Sequence, residues 1–128
     1  MQVSGVTGRA GCDVPEVDHG LVEAVTASLI DVDEATDLAG LFRLLGDPTR
    51  IRILFALLEA GELCVHDIAD VVGTTDTKAS QALRLLRNAG VVRNRRDGRH
   101  IHYRLDDDHM RMVLEVTRQH VAHRGEAS

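Results

Sequence analysis

Between Gly90 and Leu105 the hydrophobic spacing changes from helical to alternating, and this change constrains the fold more than any other feature of the 128-residue chain. Upstream, "GDPTRIRILFALLEAGE" carries its own boundaries. Asp47 before Pro48 pairs an N-cap with a first-turn proline, and Gly61 supplies the stop. Ile51, Leu54, Phe55 and Leu58 form its expected buried stripe. "LCVHDIADVVG" reads as a helix of about two turns ended by Gly73. Thr75 or Asp76 caps "TKASQALRLLRNAG", with Ala79, Leu83, Leu85 and Leu86 directed inward and Gly90 closing it. "VVRNRRDGRHIHYRL" then alternates. Ile101, Tyr103 and Leu105 share one face, while His100, His102 and Arg104 share the other. Asp97-Gly98 is a strong hairpin signal. From Asp106 helical spacing returns through Met110, Val113, Leu114 and Val121.

The rest of the chain is less sharply marked. Leu21 to Ile30 reads as a short helix, and Asp33 as the cap of the next, with Leu38, Leu41, Phe42 and Leu45 at helical spacing. Residues 1–20 show no period and read as a flexible arm, 21–123 as one folded domain, and 124–128 as a tail. Aromatic residues make up only 2% of the chain, so the core must be built from Leu, Val, Ile and Ala, which favours packed helices. The fold expected is mainly α with a small β-hairpin wing. No apolar run is long enough to cross a membrane, and no basic-then-apolar leader opens the sequence. Two cysteines, Cys12 and Cys64, are too few for a disulfide scaffold. A cytoplasmic setting with reduced thiols is expected.

The net charge of −5 hides a strong asymmetry. Residues 78–104 contain eight basic side chains and one acidic, whereas residues 1–49 contain nine acidic and two basic. So basic a block in an acidic chain points to an anionic partner. Two short helices, the second basic and followed by a basic hairpin, form a winged helix-turn-helix, whose second helix enters the major groove of double-stranded DNA. Lys78 and Arg84 suit phosphate contact, and Ser80 and Gln81 lie near the helix start. Gln can read adenine through two hydrogen bonds. Arg95, Arg96 and Arg99 flank the hairpin turn, where a wing meets the DNA backbone or minor groove. His100 and His102 read as wing-surface residues facing phosphate.

Taken in order, "DPTRIRIL", "ELCVHDIA", "LRLLRNAGVV" and "GRHIHYRL" resemble the ArsR/SmtB family of bacterial metal-responsive repressors, over roughly residues 37–123. The resemblance implies a homodimer of winged helices with antiparallel C-terminal helices. It also implies an inverted-repeat operator released when metal binds, with derepression of metal efflux or resistance genes. In the recognition helix, Ala82 stands where the family often has His or Gln.

Two constellations could hold the metal. His120 and His123, three apart, share a helix face. His109 lies eleven residues earlier, about 16 Å along the axis, far beyond Zn–N bonds of about 2.0–2.1 Å. One helix cannot close such a site. Two antiparallel copies can, with Asp107 and His109 of one chain beside His120 and His123 of the other. The spacing Asp-x-His-x10-His-x2-His is similar to that of the family's zinc sensors. Its oxygen and nitrogen donors suit Zn(II), with Co(II) and Ni(II) as substitutes. The second set is Cys64 and His66 with Cys12 and either His19 or Asp18 of the arm. It resembles the family's lead and cadmium pattern "ELCVCD", except that His66 replaces the second cysteine and Glu16 replaces an arm cysteine. That thiolate-poor set favours Zn(II) or Cd(II) over Pb(II).

No nucleophile motif, phosphate loop or carboxylate framework accompanies these residues, so neither an enzyme nor a small organic substrate is expected. The alternative function is a thiol- or redox-responsive winged-helix regulator using Cys12 and Cys64.

Overall fold

The computed structural model describes residues 18–127, in two units, one ending at Asp37 and one starting at Leu38. In the first, Asp18 accepts a hydrogen bond from the Leu21 N–H and starts α1 (His19–Ser28). Helix α2 (Val32–Leu45) is capped by Asp31, whose Oδ1 accepts from the Glu34 N–H at 2.8 Å. Asp33, expected as the cap, instead lies inside the first turn, where its charge favours the positive end of the helix.

The second unit continues with α3 (Pro48–Ala60), β1 (Leu63–Cys64), α4 (Val65–Val72) and α5 (Asp76–Asn88). It ends with β2 (Val92–Asp97), β3 (His100–Leu105) and α6 (Asp108–Ala127). Asp47 caps α3 by accepting from the Arg50 N–H at 2.9 Å, and Gly61 ends it at φ 86. That value lies in the region where a side chain would strain the backbone. The expected stripe of α3 is displaced by one position: Ile53, Leu54 and Leu57 are fully buried, while Ile51, Phe55 and Leu58 are half-buried. Helix α3 packs on both α4 and β3, so its buried arc is wider than a one-sided stripe.

Leu63 and Cys64, predicted to open a helix, instead form β1. They pair antiparallel with Tyr103 and His102 of β3, giving the sheet order β1-β3-β2. The hairpin pairs Asp97 with His100, so Gly98 and Arg99 make the turn, with Gly98 at φ 63. Thr75 caps α5, its Oγ1 accepting from the Lys78 N–H. On α5, Ala79, Leu83 and Leu86 are fully buried, but Leu85 is 49% exposed. Positions 79, 83 and 86 repeat at helical spacing, and 85 falls off that line. Leu45, Ile68, Ala69, Val72, Val91, Val92, Tyr103, Met110 and Leu114 complete the core.

Replacing Leu83 by Ala should therefore lower the unfolding free energy by about 2–5 kcal/mol. Leu85→Ala should cost about 1 kcal/mol or less. Urea denaturation of both variants checks the assignment, and equal losses would contradict it.

Candidate nucleic-acid interface and metal centre

Lys78, Ser80, Gln81 and Arg84 are all exposed on α5, and the last three border an open depression of about 360 Å³ with Asp76 and Thr77. The helix therefore presents Lys78, Ser80 and Gln81 from its N-terminal half, where the macrodipole is positive, and Arg84 one turn further on. Ala82 is half-buried against the core, so this position of α5 faces inward.

The wing arginines divide into two kinds. Arg95 is bound by Glu62, with Nε donating to both carboxylate oxygens at 3.1 and 3.0 Å and Nη2 donating to Oε1 at 2.7 Å. This fork holds the Glu62 carboxyl below its usual range. It also ties β2 to the corner after α3. Arg96 and Arg99 are exposed, and among the described residues neither has a carboxylate within 4 Å.

On α6, Asp107 and His109 are adjacent. Asp107 Oδ1 accepts from the Met110 N–H at 3.1 Å, which makes Asp107 the helix cap. Its Oδ2 lies 3.3 Å from His109 Nδ1. The Met110 N–H, and then His109, hold the Asp107 carboxyl below its ordinary value, so it is ionised at neutral pH. Two donors on one tetrahedral ion, with bonds of about 2.0–2.1 Å, stand roughly 3.3–3.4 Å apart. The Asp107–His109 spacing has that dimension, so this half of the donor set fits a zinc ion. His120 and His123 are exposed further along α6. Among the described residues of one protomer, no three His, Cys, Asp or Glu side chains gather to hold a metal.

The second constellation is described only in part, because Cys12 lies outside the described residues. His66 is exposed, its Nδ1 3.4 Å from Asp76 and its Nε2 3.8 Å from Asp70. Asp76, then Asp70, raises His66 above its ordinary value. Cys64 is half-buried at the start of α4, makes no capping bond, and stands across the ladder from His102. That pairing was missed because "ELCV" gives no strand signal. His19 is exposed on α1, and Cys12 lies outside the described residues.

The α4–α5 pair followed by a paired basic hairpin defines a winged helix-turn-helix regulator. Residues 47–94 match the family described as bacterial regulatory protein, arsR family. A cadmium resistance transcriptional regulatory protein CadC homolog of Staphylococcus aureus is 39% identical over 104 residues, covering 81% of this chain and 85% of that one. A transcriptional repressor SmtB homolog of Synechocystis sp. is 34% identical over 110 residues, covering 86% and 83%. The crystal structure of the AntR antimony-specific transcriptional repressor superposes with a TM-score of 0.70 at 29% identity, covering 94% and 99%. The chain belongs to the ArsR family. It is a transcriptional regulator and not an enzyme. No helix among the described residues is long and apolar enough to cross a membrane.

Because the folded state raises the His66 pKa above 6.5, its pairing with Asp76 stabilises the protein fully below that value. The contribution disappears as pH rises through the raised pKa. The stability difference between wild type and His66→Gln, read from urea midpoints, should therefore shrink from pH 5.5 to pH 8. A difference that stays constant would exclude the pairing.

Proposed function

We propose that the protein is a homodimeric metal-responsive repressor that binds an inverted-repeat operator and releases it when Zn(II) bridges the two α6 helices. Asp107 and His109 of one protomer, with His120 and His123 of the partner subunit, are the ligands. The observation that carries this reading is the 3.3 Å spacing of Asp107 Oδ2 and His109 Nδ1, held by a carboxylate that already caps α6. Support also comes from relatives named for cadmium resistance and for the repressor SmtB. The nitrogen and oxygen donor set favours Zn(II), with Co(II) or Ni(II) able to substitute. Cd(II) and Pb(II) prefer the thiolate that Cys64 would supply with Cys12, His66 and His19. In the described conformation His66 Nδ1 is turned to Asp76, which leaves Nε2 as the nitrogen that would ligate in that set.

In this reading Lys78 and Arg84 hold phosphates while Ser80 and Gln81 face base edges. Arg96 and Arg99 carry the wing's phosphate contacts, and Arg95 positions the wing through Glu62. Two recognition helices must meet major-groove faces about 34–36 Å apart. The paired α6 helices set that separation. A metal ion held by Asp107 and His109 of one protomer and by His120 and His123 of the partner subunit would select one mutual angle of these helices. If that angle disfavours DNA, linkage makes metal and DNA antagonists with a coupling of about 1–3 kcal/mol, or 5- to 150-fold. Acid weakens the metal side of the cycle, because ligating histidines must be neutral.

His109→Ala and His120→Ala should each keep operator binding without metal and lose release by zinc. Operator binding is measured by fluorescence anisotropy on a duplex selected from a random pool by the metal-free protein. Release of either variant at the wild-type zinc concentration would remove this site as the regulator.

A further inference from the structure

One residue before the ligand Asp107, the chain is tied twice to the DNA-reading half. The Asp106 N–H donates to the Val91 carbonyl at 3.0 Å, and Arg93 Nε donates to Asp106 Oδ1 at 3.0 Å. Val91 is buried, and its own N–H donates to Leu86 O in the last turn of α5 at 2.9 Å. Arg93 is the second residue of β2 and stands directly across the ladder from Arg104. Like charges in that position repel. The Asp106 carboxylate takes up the Arg93 charge at the root of the wing. Arg93, Arg104, Asp106, Asp107 and Arg111 line one polar cleft of about 370 Å³ where the hairpin meets the start of α6.

We infer that Arg93 and Asp106 are positioning residues for sensing: their ion pair braces the wing in the DNA-competent form and is pulled apart when Asp107 and His109 are drawn onto a shared metal. This inference rests on the proposed α6 site and assigns its route within each protomer. The pair is half-open to solvent, with side chains 55% and 30% exposed. An exposed pair of this kind contributes little to stability. Its loss therefore leaves the fold standing, and its effect is on the aim of the hairpin. Displacement of Asp107 toward the partner subunit carries Asp106 with it through one peptide unit. Arg93 then loses its carboxylate partner, while the Val91 bond passes the same shift to the end of the recognition helix.

The test uses the full-length protein, the selected operator duplex, and Zn(II) or Co(II) alone as effector. In Asp106→Asn, metal-free operator affinity should fall toward the zinc-loaded wild-type value, and zinc should then weaken it further by about threefold or less. The tetrahedral Co(II) absorption bands and the metal stoichiometry should persist. Asp106→Glu should restore the zinc response, and Arg93→Gln should reduce it as Asp106→Asn does. A merely structural defect would lower the melting temperature of these variants without changing the ratio of affinities with and without zinc. A wild-type ratio in both Asp106→Asn and Arg93→Gln overturns the joint while leaving the α6 site intact. Loss of the Co(II) bands in Asp106→Asn also overturns it, by making Asp106 part of the site. Tetrahedral Co(II) in a wild type whose operator affinity ignores metal overturns the proposed repressor and the joint together.

Discussion

The carboxylate of Asp107 acts in two directions, and the arrangement around α6 depends on that division. One oxygen closes the first turn of the helix by accepting from Met110, and the other is held beside His109. The cap fixes where α6 begins, and so where His120 and His123 fall along it. Because the cap uses only Oδ1, Oδ2 remains able to meet a cation without unwinding the helix. Helix length does the rest. About 16 Å of α6 separates His109 from His120, so the four donors can converge only across two chains.

Charge is arranged on a similar principle of division. The basic block is not uniformly available to an anionic partner. Glu62 engages Arg95 and Asp106 engages Arg93, so these two guanidinium groups serve the posture of the hairpin. Lys78, Arg84, Arg96 and Arg99 remain exposed and, among the described residues, have no carboxylate partner within 4 Å. The same composition thus provides both a brace and a binding surface. Geometry at a few positions decides which arginine does which. At the start of α5, Asp76 places a negative charge on the exposed face, and His66 sits against it.

Some elements could be read directly from residues because their causes are local. Asp47 before Pro48, Thr75 before the basic helix, and the glycines at 61 and 98 act within a few residues of themselves. The structure places each of them at a cap or a turn. The errors occurred where a partner distant in sequence decides. Ile53 and Leu57 are buried because α3 is enclosed on more than one side. Leu85 is exposed because it falls off the line of Ala79, Leu83 and Leu86 that meets the core. The strand at Leu63–Cys64 exists because β3 supplies its hydrogen-bond partners forty residues later.

The site follows the same split. Residue spacing alone shows that Asp107, His109, His120 and His123 cannot all meet one ion along a single helix, because a helix has a fixed rise and a metal has fixed bond lengths. Only the tertiary structure could show that Arg95 is held by Glu62, that His66 turns to Asp76, and that Asp106 is bound to both Val91 and Arg93. Those contacts join segments ten to thirty-three residues apart. No periodicity in a chain encodes which of several available charges will end up within 3 Å of one another once the core has closed.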